Sequence, residues 1–239
     1  MRAHSGISTR RVRFSEGRGW LAIVALGSVL AVVSAMLSVA PAFASSVTSA
    51  TFTGGAGTTS SGGTLYAKQG GALTLTVITS SDTQCVDVAG AFTAHATSAT
   101  AKSNWTFTTT AGTGDGVQAV TAAASPNVNA QDKCTGQSSS LQASFTLDNT
   151  GPVVTAALAP AANAAGWNKA NVGITWSATD AGSGIGSGPT PATDSVSSSV
   201  ASITKNATAT DKLGNSGTGA VIVKLDKTNP TITGSAAPA

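Results

Sequence analysis

The sequence predicts an all-β protein in which two β-sandwiches follow one another after an N-terminal signal peptide. Three observations support this prediction: a basic and then apolar leader, apolar residues that alternate with polar ones, and a motif that recurs after 78 residues. No stretch after residue 44 has the apolar spacing of an amphipathic helix. Short strands and glycine-rich turns, in units of about 80 to 100 residues, favour sandwiches over βαβ layers.

The leader comprises residues 1–44. All five arginines lie in residues 1–19, an uncharged apolar run follows to about residue 40, and Ala42-Phe43-Ala44 closes it. This order is typical of a secretory signal peptide that is cleaved after Ala44. The alternative is an uncleaved anchor, because the apolar run is long enough to cross a bilayer. In both cases we expect a secreted or cell-surface protein, with membrane contact only if the leader is retained.

The charge of the chain changes once the leader is set aside. The remaining 195 residues contain eight lysines and nine aspartates, a net charge of −1, and the lysines are scattered singly. Phosphate backbones are bound by clustered Lys or Arg, so the composition excludes a nucleic-acid partner. His95 is the only histidine of this part and there is no glutamate, which excludes multi-histidine zinc sites and glutamate acid–base pairs.

A catalytic triad can be drawn from His95, either Asp87 or Asp115, and one of many serines. Because serine and threonine are so abundant here, chance adjacency explains this combination better than catalysis does. We therefore expect no enzyme activity and no cofactor.

Cys85 and Cys134 are the only cysteines. An even count in an exported chain predicts one intramolecular disulfide between them. Metal binding would require further ligands, and a reactive thiol would require a base or a helix N-terminus nearby.

Strands with one buried face are indicated by apolar residues at every second position. The clearest cases are Leu73–Val77, Val172–Trp176 and Val221–Leu225. Trp176 continues the apolar side of its segment, and Trp105 lies beside Phe107 in a similar one. We therefore expect both tryptophans in the cores.

The recurring motif is L-D-x-T-x-P, at Leu147–Pro152 and again at Leu225–Pro230. The match continues downstream, where residues 151–161 and 229–239 agree at five of eleven positions, and upstream we align Asp132-Lys133 with Asp211-Lys212. The period fits one small sandwich per repeat. The linker is short and begins the next strand at a proline, so we expect adjacent domains to be held semi-rigidly.

Three further motifs carry a resemblance to a known family: T-D-A-G-S-G-I at Thr179–Ile185, A-T-A-T-D-K-L-G-N-S at Ala207–Ser216 and V-K-L-D-K-T-N-P at Val223–Pro230. Together they resemble the bacterial immunoglobulin-like repeats that occur in tandem in secreted and cell-surface proteins, especially of actinomycetes. The resemblance is close over residues 148–239 and looser over 46–147. It implies tandem immunoglobulin-like sandwiches without catalytic residues, acting as spacer, adhesion or accessory modules.

These observations predict four segments. They are a signal peptide (1–44), a diverged immunoglobulin-like sandwich with one disulfide (45–148), an immunoglobulin-like repeat (149–228) and the opening strand of a further, truncated repeat (229–239).

Two kinds of binding site are considered. Asp180 and Asp211 are candidate calcium ligands, as are Asp194 and the joint residues Asp148 and Asp226, but calcium requires several converging oxygens. Single aspartates in glycine-rich turns are better explained as turn caps.

Trp105, Trp167, Trp176 and Tyr66 are the aromatic residues considered for a sugar-stacking face. Because Trp105 and Trp176 are expected in the cores, Trp167 is the candidate ligand-binding residue.

The function that the sequence predicts is a non-catalytic exported module, a spacer or an adhesion region whose partner would be a cell-surface protein or a glycan. The alternative is an accessory region, with a carbohydrate-binding role, of a secreted hydrolase whose catalytic domain lies outside this chain.

Overall fold

A computed structural model describes residues 44–136 and 139–234 of the chain. The described residues form seventeen strands and no helix, so the predicted all-β class is confirmed. Accordingly, no segment within these ranges has the length and apolar character of a membrane-spanning helix. The leader lies outside the described residues except for its last residue, Ala44.

The first eleven strands build the part of the molecule between the leader and the recurring motif. Their bounds are β1 Val47–Gly54, β2 Thr58–Ser61, β3 Thr64–Ala67, β4 Ala72–Thr79, β5 Cys85–Gly90, β6 Ala94–Thr97, β7 Asn104–Thr110, β8 Gly116–Ser125, β9 Asn127–Val128, β10 Cys134–Thr135 and β11 Ser139–Leu147. One sheet has the order β1-β4-β7, a second has the order β2-β3-β11-β8-β5-β6, and β9 and β10 pair separately.

A core fills the space between the first two of these sheets, an arrangement consistent with a β-sandwich, here called the first sandwich. The inward residues of β4 are completely buried, whereas its intervening threonines are only half-buried. Trp105 of β7 is 1% exposed and donates its indole N–H to Thr79 Oγ1 at 3.2 Å. The predicted alternation and the predicted core position of Trp105 are therefore confirmed.

The remaining six strands make an arrangement that is also consistent with a β-sandwich, here called the second sandwich. Their bounds are β12 Val153–Ala159, β13 Val172–Thr179, β14 Ile185–Thr190, β15 Thr193–Val196, β16 Val200–Asp211 and β17 Ser216–Leu225. They make two three-stranded sheets, β12-β13-β15 and β14-β16-β17. Between them lies a separate core that contains Trp176, which is 4% exposed, as predicted.

The two sandwiches share a strand arrangement. The sheet β1-β4-β7 corresponds to β12-β13-β15, and the run β11-β8-β5 corresponds to β17-β16-β14. The first sandwich adds the β2–β3 hairpin, β6 and the β9–β10 pair. These additions account for the greater length of the first segment.

One five-residue turn recurs at Asn129–Lys133, Asn163–Trp167 and Asp211–Asn215. In each turn the side-chain oxygen of the first residue accepts the amides of the third and fifth residues at 2.8 to 3.0 Å. The fourth residue of each has a positive φ, which glycine, asparagine and aspartate tolerate best. The turn type does not mark equivalent positions, because Ser125 pairs with Cys85 as Asp211 pairs with Ile185. Asp132 lies in the added β9–β10 hairpin, so the upstream alignment of the two Asp-Lys pairs is not supported by the fold.

The segment expected as an opening strand begins at Asn229. Its described residues, 229–234, belong to no strand, and Ile232 is 93% exposed. Residues 235–239 lie outside the described part of the chain.

Candidate functional site at the joint between the sandwiches

The joint is the segment Asp148-Asn149-Thr150, which follows β11 and belongs to the recurring motif. The Asp148 amide donates to the carbonyl of Ala67 at 3.0 Å, so the segment continues the parallel pairing of β11 with β3. The joint therefore starts from the sheet of the first sandwich and not from a free loop.

Asn149 and Thr150 bind the first sandwich. The Asn149 amide and side chain donate to Asp115 Oδ1 and to the Gly114 carbonyl, both at 2.5 Å, and its Oδ1 accepts the amide of Gln69 at 2.5 Å. The Thr150 hydroxyl donates to Asp115 Oδ2. These donors lower the pKa of Asp115, the Asn149 amide most and the Thr150 hydroxyl next.

Asp148 binds the second sandwich. Its Oδ2 accepts the amide of Ser183 at 2.6 Å, and its backbone carbonyl accepts the side-chain amide of Asn215 at 2.9 Å. Its carboxylate packs so closely on Gly182 that a Cβ there would collide with it. Three consecutive residues thus connect the two sandwiches, and Asp148 is only 3% exposed.

A further contact crosses the joint at its edge. Lys212, in the turn after β16, donates to the hydroxyl of Ser61 at the tip of the β2–β3 hairpin at 2.9 Å. The hairpin that the second sandwich lacks therefore contributes to the interface.

The carboxylates of Asp148, Asp180 and Asp211 meet at this joint, with ligand atoms within 4.8 Å of one another. Asp148 and Asp211 are each 3% exposed. In the described residues, no lysine or histidine nitrogen lies within 4.0 Å of any of the three. The expectation that these aspartates stand singly in their turns is therefore wrong.

Oxygen ligands of this kind suit calcium, but the carboxylates also have structural partners. Asp180 Oδ1 accepts the amides of Gly182 and Gly184 at 3.1 and 2.7 Å, and Asp211 caps its own turn. These bonds match the predicted turn-capping role. The buried hydroxyl of Ser183 lacks a partner, but so does that of Thr83 at the same place in the first sandwich, where this acidic cluster is absent. Ser183 therefore gives no indication of a bound ion.

The other two aspartates considered as calcium ligands lie elsewhere. Asp194 pairs with Lys205 at 3.0 Å, and the hydrogen bond from that lysine is the main cause of its lowered pKa. Asp226 is exposed and accepts the amide of Thr228 at 2.8 Å.

His95 lies beside the disulfide of the first sandwich. The sulfur atoms of Cys85 and Cys134 are at bonding distance, in agreement with the predicted disulfide. His95 Nδ1 lies 2.5 Å from Asp87 Oδ1, and its Nε2 lies 3.6 Å from Asp132 Oδ2. The hydrogen bond with Asp87 is the main cause of its raised pKa, and both carboxylates add to it.

This geometry brings His95 together with Asp87 but not with Asp115, which is bound to the joint. Among the described residues the side-chain hydrogen bond of His95 goes to Asp87 and not to a serine, and Asp132 Oδ2 lies 3.6 Å from its Nε2.

The aromatic residues considered for sugar stacking do not share a surface. Trp105 and Trp176 are in the two cores, and Tyr66 lies on β3 of the first sandwich. Trp167 is half-buried, with the Lys224 amine 5.9 Å from its ring centre. It lines a cavity of about 650 Å³ at the far end of the second sandwich, beside Asn168 and Asp226.

Comparison with protein-family models and with curated proteins finds no match for this chain.

Proposed function

We propose that this chain is an exported, non-catalytic pair of immunoglobulin-like sandwiches that works as a semi-rigid spacer at the cell surface. The observation that carries the proposal is the joint, in which Asn149 and Thr150 bind one sandwich while Asp148 binds the other. A flexible tether would need none of these bonds, because glycine- and serine-rich linkers separate domains without ordered contacts.

The immunoglobulin-like assignment is supported by the sheet orders. Each half has six common strands, which can be counted one to six in chain order. Strands one, two and four form one sheet, and strands three, five and six form the other. This is the division expected of such sandwiches. The recurrence of the L-D-x-T-x-P motif at the ends of β11 and β17 supports tandem repetition.

An extracytoplasmic location is supported by the cysteine pair. Disulfides persist in oxidising compartments and are rare in the cytosol. This agrees with a leader that the sequence predicts to direct export.

The proposal is tested by backbone ¹⁵N relaxation of the exported protein. We expect both sandwiches to report one shared rotational diffusion tensor. The Asp148→Ala variant loses the acceptor for the Ser183 amide, so we expect two independent diffusion tensors. The control is Asp226→Ala, because Asp226 holds the same place in the motif but is exposed. This variant should leave the single tensor unchanged. Independent tumbling in the unmodified protein would contradict the spacer role.

The alternative, an accessory carbohydrate-binding region, has one observation in its favour. Trp167 presents part of its ring to the cavity beside Asp226, and exposed aromatic faces bind apolar faces of ligands. Retention on insoluble polysaccharides that Trp167→Ala abolishes, and that Tyr66→Ala preserves, would favour this function over a spacer.

A further inference from the structure

The outer face of β5 and β6 carries side chains that can bind a metal ion. Val86 and Val88 of β5 pack into the core of the first sandwich. The alternating residues of this strand, Cys85 and Asp87, therefore point to the opposite side of the sheet. His95 lies directly across from Asp87 in the pairing of β5 with β6. The two-residue period of the strands thus puts a cysteine, an aspartate and the histidine on one surface.

The β9–β10 hairpin covers this surface and adds two more such side chains. Cys134 begins β10, which packs against β5, and Asp132 lies in the turn before it. The ligand atoms of Cys85, His95 and Cys134 all lie within 4.8 Å of one another, and Asp132 Oδ2 lies 3.6 Å from His95 Nε2. Two cysteines, a histidine and a carboxylate from three separate segments therefore meet at one place.

The residue types and their spacing suit zinc. Tetrahedral zinc sites take four ligands from cysteine, histidine and carboxylate side chains, with bonds of about 2.0 to 2.3 Å. Nitrogen and oxygen ligands of such an ion are about 3.4 Å apart, close to the separation of His95 Nε2 and Asp132 Oδ2. The disulfide occupies both sulfur atoms, so zinc requires the dithiol form, in which rotation about the Cα–Cβ bonds turns the sulfur atoms toward the ion.

His95 is already oriented for this role. Its Nδ1 lies 2.5 Å from Asp87 Oδ1, which leaves Nε2 to face Asp132. Metal-bound histidines usually donate their second ring N–H to a carboxylate, which fixes the ring and makes it a stronger ligand. Asp87 is therefore a positioning residue. The side chains of His95 and Asp132 are 35% and 69% exposed, so an ion can enter from solvent.

We propose that the dithiol form of the first sandwich binds one zinc ion. Its ligands are Cys85, Cys134, His95 and Asp132. A newly exported chain has free thiols before it is oxidised, so the site requires no reductant. The ion fastens the β9–β10 hairpin to β5, as the disulfide does in the oxidised chain. The joint takes no part in this site, so the proposal goes beyond the spacer function.

Zinc binding and disulfide formation exclude each other. When zinc binds, the two thiols release two protons to solvent and coordinate the ion as thiolates. A small-molecule disulfide reverses this state by thiol–disulfide exchange. It accepts two electrons and leaves as two thiolates, while the bond between Cys85 and Cys134 forms and the zinc ion is released.

The test is a zinc titration of the full exported chain after reduction and removal of the reductant without oxygen. Affinity is measured by competition with a chromophoric chelator, and thermal unfolding is followed with and without zinc. We expect a single zinc ion per reduced chain and none in the disulfide form. Zinc should also raise the unfolding midpoint of the reduced first sandwich, because only the folded chain brings all four ligands together. Cobalt(II) in place of zinc should show the absorption of thiolate-to-cobalt charge transfer.

Substitutions identify the ligands. We expect His95→Gln and Asp132→Asn each to weaken zinc binding by about tenfold or more, and the matched control Asp226→Asn, at an exposed aspartate of the second sandwich, to leave it unchanged. Asp87→Asn should weaken binding but keep the cobalt charge-transfer absorption, because Asp87 orients a ligand without being one.

Unchanged zinc affinity in His95→Gln or in Asp132→Asn refutes the site, because the two cysteines would then account for binding by themselves. A reduced chain that zinc neither binds nor stabilises also overturns the proposal, whether or not that chain is folded without metal. Neither result bears on the spacer function, which is tested on the disulfide form.

Discussion

Single side chains hold the joint together, and Asp148 is the one that spans it. Its buried carboxylate both accepts a hydrogen bond from Ser183 and lies near two further carboxylates. Like charges at such distances repel, and burial strengthens the repulsion. The hydrogen bond therefore stabilises the joint, whereas the charge repulsion destabilises it.

A pair of substitutions separates these two effects. We expect Asp148→Ala to lower the free energy of unfolding of the second sandwich by about 1–3 kcal/mol, because it leaves the Ser183 amide unpaired. Asp148→Asn keeps an oxygen acceptor and removes one negative charge, so we expect little loss or a gain. Urea unfolding measures both values, and equal losses in the two variants would contradict this account.

Trp176 tests whether the second sandwich has the core that the structure shows. Its side chain is 4% exposed among apolar residues of both sheets. We expect Trp176→Ala to lower the free energy of unfolding by about 3–5 kcal/mol in urea titrations. Trp167→Ala is the matched control, because that half-buried ring lies outside the core. A small loss from Trp176→Ala would show that the ring is not buried in solution.

His95 gives the first sandwich a pH-dependent contribution. Because its folded pKa is raised by Asp87 and Asp132, its stabilising effect is present below its unfolded pKa of about 6.5 and is lost as the pH rises through the folded pKa. We expect thermal midpoints of the wild type and His95→Gln to differ at pH 5 to 6 by more than at pH 9. A difference that does not change with pH would contradict this prediction.

At the scale of the element, the sequence predicted the strands that have one buried face. The alternation in β4, β13 and β17 follows from the two-residue period of a sheet and can be seen in the sequence. The β2–β3 hairpin was not predicted, because its threonines, serines and glycines have no apolar pattern. Its effect is visible only in the fold, where it provides Ser61 to the joint.

The acidic cluster could not be predicted for a different reason. Asp148, Asp180 and Asp211 come from three separate connections, and only the strand order brings these connections to one end of the sandwich. The misaligned Asp-Lys pairs have a topological explanation. Asp132 and Lys133 lie in the β9–β10 hairpin, which the second sandwich lacks, whereas Asp211 ends β16 and corresponds to Ser125.

The disulfide fastens the long connection between β8 and β11 to β5. Cys134 lies within that connection and Cys85 begins β5. Closing a loop of this length stabilises a fold by about 4 kcal/mol on the chain-entropy model. We expect the double variant Cys85→Ser/Cys134→Ser to lower the unfolding midpoint of the first sandwich by a matching amount.

The measurement has an internal control, because a reducing agent should destabilise the wild type and leave the double variant unchanged. Mass spectrometry of the exported protein should show the two cysteines linked in one peptide pair. Free thiols on both residues would contradict the prediction.

At the scale of the molecule, two separate cores are connected by a short bonded segment. No buried residue is shared between the clusters of the first and the second sandwich in the described part of the chain. Each sandwich therefore has its own hydrophobic stabilisation, and the joint couples their orientation more than their stability. This division explains why loss of an end segment need not affect either core.

The last prediction concerns residues 229–239. Their described part belongs to no strand and leaves Ile232 almost wholly exposed, so it offsets little of the entropy cost of ordering it. We expect deletion of residues 229–239 to leave the unfolding midpoint of the second sandwich nearly unchanged, with Trp176→Ala as the control that lowers it. A large loss on deletion would mean that the segment pairs with a sheet of the second sandwich. In that case the edge strand β17 or β12 would gain a partner, and the boundary of the repeat would lie beyond Pro230.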